Sequence, residues 1–138
     1  MQYRDLVAIA LLLFFLNGCS GDMPAQFGMM FEIKRDIIKE YNHENVSIHI
    51  SNDKLLTVNF VNSRFNDITP KEKEAKAREI ALSTVLSMKR DQIDKIAVAF
   101  TLYEKKYFII DYTSSQGVFF FDVSELLADV NERQLEAE

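Results

Sequence analysis

The chain has 138 residues, 48% of them hydrophobic and 27% charged, which are the proportions of a globular protein and not of a disordered one. A formal charge of −5 argues against a nucleic-acid partner, because phosphate binding draws on an excess of Lys and Arg. The single cysteine excludes an intramolecular disulfide and any cysteine-based metal cluster, and the length suits one domain better than two.

The amino terminus opens with Met-Gln-Tyr-Arg-Asp and continues as eleven consecutive apolar residues, 6–16, followed by Asn17-Gly18-Cys19-Ser20-Gly21-Asp22. Eleven residues rise about 16 Å as a helix, roughly half of a hydrocarbon core, so the segment suits a signal-peptide core better than a membrane span. Read from the residues alone, an uncleaved amino-terminal anchor and a plain core segment stay open beside the signal peptide. Leu16 at the third position before the cysteine, the small Gly18 and Cys19 itself resemble the lipobox of bacterial lipoproteins. The resemblance covers about the first 22 residues and implies cleavage between Gly18 and Cys19, a diacylglyceryl group on the Cys19 thiol, and acylation of the new amino terminus. Two or three acyl chains on one residue anchor stably, where a single chain binds only marginally. In this class an aspartate after the cysteine signals inner-membrane retention; Ser20 stands there, which implies the outer membrane, facing the periplasm, in a Gram-negative source. The expected layout is a signal peptide over 1–18, a lipidated tether over 19–26, one domain over 27–131 and a frayed polar tail over 132–138.

Phe27, Met30, Phe31, Lys34, Ile37, Ile38 and Tyr41 follow helical spacing and predict an amphipathic helix. Its polar residues carry mixed signs, so packing on the domain's own sheet is favoured over membrane-surface binding, which needs a basic face. Val46, Ile48 and Ile50 alternate with polar residues, Asn52-Asp53 supplies a turn, and Leu56, Val58 and Phe60 alternate on the way back, the pattern of a hairpin. Thr69-Pro70-Lys71-Glu72 is a capping box with proline at the first helical position, and Ala77, Ile80, Ala81, Thr84, Val85 and Met88 mark the buried stripe of the helix it opens. The charges over 71–79 read as a solvated helix face. The last third predicts three strands, through Ile96, Val98, Phe100 and Leu102, then 107–112, then 118–121 after a turn at 113–117, and a short helix capped by Ser124 through Leu126, Leu127 and Val130. The expected fold is α+β, an antiparallel sheet of about five strands packed by two main helices in the order α-β-β-α-β-β-β-α.

Apolar residues on both faces of the later strands, at Ile109, Ile110, Phe119, Phe120 and Phe121, require that both faces be covered. Helices on opposite faces or a curled sheet would do so; the alternative is an apolar patch left for a partner. The residues offer little chemistry. His43 and His49 match no zinc spacing, no metal or cofactor motif occurs, and Gly18, Gly21, Gly28 and Gly117 form no phosphate loop. Asp111 and Asp122 are a candidate carboxylate pair, outweighed by the use of aspartate at strand ends and turns. Ser114-Ser115-Gln116-Gly117 reads as a turn and not a nucleophile elbow, and Tyr103, Tyr107 and Tyr112 are a candidate stacking platform. Three readings follow. The leading one is a non-enzymatic envelope lipoprotein, anchored to the membrane through Cys19, that binds an envelope protein or itself through a sheet edge or apolar face. Next comes a carrier of an apolar ligand, which requires an enclosed helix–sheet cavity of roughly 300 Å³ or more. A small hydrolase is third.

Overall fold

A computed structural model describes residues 23–88, 93–106 and 110–135; the expected signal peptide and lipid-bearing Cys19 lie outside them. The described chain is α+β, with three helices on one four-stranded mixed sheet. Helix α1 (Met23–Tyr41) is followed by strands β1 (Val46–Ser51) and β2 (Leu55–Val61), helix α2 (Pro70–Ser87), strands β3 (Lys95–Lys106) and β4 (Ile110–Asp122), and helix α3 (Val123–Leu135). The order is therefore α-β-β-α-β-β-α, and the sheet order is β1-β2-β3-β4.

Two expectations are corrected. The sheet is not wholly antiparallel: β1 and β2, and β3 and β4, pair antiparallel, but β2 and β3 at the centre pair parallel. The cause is α2. Its 18 residues rise about 27 Å, which matches the roughly 23 Å of β2 and returns the chain to the end of the sheet where β2 began. The described residues also hold no fifth strand. The stretch expected to turn at 113–117 runs straight through β4, and the pairing with β3 slips by one residue between Phe100 and Thr101, opposite Gln116. Ser and Thr tolerate extended backbone, and Gly117 takes φ +152, so the glycine serves a β-bulge and not a reversal. Lys73 of α2, buried although it lies in the charged run, donates from Nζ to the Gln116 carbonyl at 3.4 Å.

The first half follows its sequence closely. The β1–β2 turn passes through Asn52 and Asp53, both with positive φ, a conformation these residues tolerate. Thr69 accepts from the Glu72 amide and its own amide donates to the Glu72 carboxylate, completing the capping box. That hydrogen bonding holds the Glu72 carboxyl below its ordinary pKa. Helix α1 starts at Met23, inside the expected tether, with Pro24 in its first turn where proline is tolerated. Gln26 donates to the Asp53 carboxylate at 2.9 Å, pinning the start of α1 beside the β1–β2 turn. Helix α3 begins at Val123, so Ser124 lies in its first turn and not at its cap, and it runs on to Leu135.

All three helices cover one face of the sheet. On that face the rows are Ile50–Leu56–Ile96–Phe121, Ile48–Val58–Val98–Phe119 and Val46–Phe60–Phe100–Gly117. Leu56, Val58, Phe60, Ile96, Val98 and Phe100 are fully buried against Ile33, Ile37 and Tyr41 of α1, Ala77, Ile80 and Val85 of α2, and Leu126 of α3. At the far end Phe60, Phe65, Phe100 and Tyr41 meet edge to face or tilted, with centroids 5.5–6.2 Å apart, and His43 stacks on Phe60 while hydrogen-bonding the Val61 carbonyl. Strands β3 and β4 extend beyond β2, whose backbone pairing ends at Val61 opposite Thr101. The side-chain amide of Asn62 then stands in for one more peptide, donating to the Tyr103 carbonyl and accepting from its N–H.

Candidate functional site: the open face of the sheet

No helix among the described residues lies on the second face of the sheet. Its rows are Ser51–Leu55–Lys95–Asp122, His49–Thr57–Ala97–Phe120 and Ser47–Asn59–Ala99–Val118, fixed by the same register that fixes the core rows. In the last two of these rows, the inner ones, the positions of β1 and β2 are polar and suited to water. In the same inner rows the positions of β3 and β4 are small or apolar: the buried Ala97 and the half-buried Ala99 on β3 lie beside Val118 and Phe120 on β4, which are 46% and 64% exposed. Among the described residues, the expectation that both faces of the later strands be covered is thus met on one face only.

The face is also electrically quiet. The two inner rows contain no Asp, Glu, Lys or Arg, whereas α1 and α2 are rich in charged residues. The ionised groups at its border neutralise each other: Lys95 pairs with Asp122 at 3.5 Å, and Lys54 with Asp94 at 3.0 Å. Thr101 donates to the Asn59 side-chain oxygen at 2.7 Å, so those polar groups are satisfied within the sheet. A solvent-facing surface that lacks charge and presents aromatic and branched side chains has the composition of an interface core.

The structure separates residues that the sequence suggested might act together. Asp111 and Asp122 lie at opposite ends of β4, paired with Lys105 and Lys95, roughly 36 Å apart along the strand, so they form no carboxylate pair. Ser114 to Gly117 lie within the strand and make neither a turn nor an elbow. Tyr103 pairs with Thr113 and Tyr112 with Glu104, in adjacent rows of the β3–β4 register; Tyr107 is outside the described residues. His49 is exposed on β1, and His43 is on the connection between α1 and β1 with its ring engaged by Val61. Among the described residues no cluster of three or more His, Cys, Asp or Glu could hold a metal ion, and no helix is long and apolar enough to cross a membrane.

One groove stands out at the end of the sheet where α2 finishes and α3 starts. It has a volume of about 530 Å³, with Val85, Met88, Ile93, Val123 and Leu127 as its apolar walls, and Asp94 and Asp122 at its polar edge. It opens to solvent instead of being enclosed between helix and sheet.

Sequence reasoning named Phe119, Phe120 and Phe121 as apolar residues spread over two faces without assigning each to its face, because three consecutive phenylalanines divide between two faces only once register is known. The signal available was the Ala97–Ala99 alternation within β3, where Ile96, Val98 and Phe100 must point inward and the alanines outward. Lys73 was missed as a structural residue, although it is in helical phase with Ala77, Ile80 and Thr84. No family model matches this sequence, and no curated protein or solved structure matches it.

Proposed function

We propose that the chain is a lipoprotein of the bacterial cell envelope whose small non-catalytic domain docks on a protein partner through the open face of its sheet. Cys19, freed by cleavage after Gly18, bears the acyl chains and holds the domain at the membrane, the periplasmic face of the outer membrane in a Gram-negative cell. The observation that carries the docking reading is the uncharged pair of inner rows in which Ala97 and Ala99 lie beside the exposed Val118 and Phe120. Protein surfaces bury such patches against partners, and the core of an interface is depleted in charge.

Two measurements test the two halves of this reading. Intact mass of the membrane-extracted protein should show loss of residues 1–18 and added acyl mass, both absent in Cys19→Ala; an unprocessed, unacylated wild-type chain defeats the anchor. A photo-reactive residue at position 120, introduced in the native envelope, should give one discrete adduct, whereas the same residue at the exposed Leu86 of α2 gives none. An adduct of twice the chain mass identifies the partner as a second copy. Equal labelling from both positions defeats docking at this face.

The groove favours a second reading, a carrier of an apolar ligand. Its volume of about 530 Å³ exceeds the roughly 300 Å³ such a ligand requires, but it is open to solvent where a carrier was expected to enclose its ligand between helix and sheet. Native mass spectrometry of the extracted protein, with and without Leu127→Lys in the groove wall, tests it: a bound mass lost in the variant supports a carrier.

A further inference from the structure

Helix α1 is expected to bury one continuous stripe, but the structure uses only part of it. Ile33, Ile37 and Tyr41 are buried in the core, while Phe27 and Phe31 stay 53% and 71% exposed. These two phenylalanines, four residues apart, share one face of the helix and border a shallow cleft of about 240 Å³ with Met30, Lys34 and Ile48 of the edge strand β1. Charge divides the helix at the same point. Residues 23–31 contain no ionisable side chain, and Glu32, Lys34, Arg35, Asp36, Lys39 and Glu40 all follow. This amino-terminal segment exposes two aromatic rings and carries no charge of its own to desolvate, the Asp53 carboxylate held by Gln26 belonging to the β1–β2 turn beside it.

We propose that the first turns of α1 lie in the interfacial layer of a phospholipid bilayer, with Phe27 and Phe31 in contact with acyl chains and Lys34 reaching back to the phosphates. The inference rests on the lipid anchor at Cys19. Only Ser20, Gly21 and Asp22 separate that residue from the start of α1, so the chain between them spans at most about 14 Å. Phe27 follows one helical turn later, about 6 Å along the axis. A cysteine whose acyl chains enter the bilayer therefore brings this end of α1 to the headgroups, and the lysine stem spans the boundary between apolar ring and polar surface.

The protein contains no tryptophan, so a single introduced indole reports its own surroundings. The full-length chain with Phe27→Trp, Phe31→Trp or, as the control on the open sheet face, Phe120→Trp is extracted, checked by intact mass and reconstituted into phosphatidylcholine–phosphatidylglycerol vesicles carrying bromine on their acyl chains. Fluorescence at positions 27 and 31 should be quenched severalfold more than at 120 and shifted to the blue relative to detergent-free buffer. An acylated chain whose reporters at 27 and 31 are quenched no more than that at 120 overturns the insertion while leaving the anchor standing. A chain that is unacylated by mass removes the anchor and the insertion with it.

Discussion

The two faces of the sheet share every strand and every turn, yet they obey different rules. On the covered face the three central rows are closed by large side chains, and the residues of β2 and β3 there have no exposure at all. On the open face the same strands carry Thr57, Asn59, Ala99 and the buried Ala97, and the only large apolar groups among the described residues of its two inner rows are Val118 and Phe120 of β4. A strand that satisfied only its own fold would carry polar residues at those two positions, as β1 and β2 do at theirs. The difference teaches that the apolar character of β4 exceeds what folding requires, and the excess lies where a partner can reach it.

Substitutions can break or sharpen that contrast. The largest effect is expected inside the covered face: Phe100→Ala removes a fully buried ring that contacts Phe60, Phe65 and Phe119, and should lower unfolding stability by about 3–5 kcal/mol in a urea titration. Gly117→Ala comes next. A Cβ there would meet the Phe119 ring at 3.0 Å and strain a φ of +152, so a loss of about 1–3 kcal/mol is expected by the same titration; a neutral result would remove the bulge from the account. Thr69→Ala deletes the cap of α2 and should cost about 1 kcal/mol. The pH dependence has a definite sign: the depressed pKa of Glu72 adds stability above its unfolded value, about 4.3, and that stability fades as pH falls through the folded value, so the gap between wild type and Thr69→Ala should narrow in acid. Smallest of all is Phe120→Ser, whose thermal midpoint should match wild type because surface changes stay within about 0.5 kcal/mol. That same variant should abolish the adduct formed from a photo-reactive residue at position 118. A Phe120→Ser chain that unfolds early instead would mean that the ring belongs to the fold.

Where local chemistry decides structure, the sequence was legible. Thr69-Pro70-Lys71-Glu72 states its cap in four residues, and Asn52-Asp53 states its turn, because each depends on groups a few positions apart. The parallel pairing of β2 and β3 depends on how far α2 carries the chain, a length match between elements that no short pattern encodes. The continuous β4 was hidden by Gly117: glycine marks turns and bulges alike, and the choice was made by Phe100 opposite it and Lys73 above the Gln116 carbonyl, both remote in sequence. The open face was half legible. Its apolar excess could be seen in the run Phe119-Phe120-Phe121, but which ring points outward follows from register alone. In α1 the spacing was right and the burial was not, because helical phase groups Phe27 and Phe31 with Tyr41 without revealing where the sheet ends.

The parallel junction at the centre of the sheet also governs how the molecule is made. Every residue pair across β2 and β3 is forty positions apart along the chain, whereas the β1–β2 pairs close around a short turn. A chain that crosses a membrane amino terminus first would deliver Leu56, Val58 and Phe60 well before the strand that flanks them. During that interval one side of β2 is an unpaired edge beside an unfinished core, the arrangement most prone to capture by another extended chain. In such a chain the core on the β2 side would close late, when β3 arrives to pair with β2.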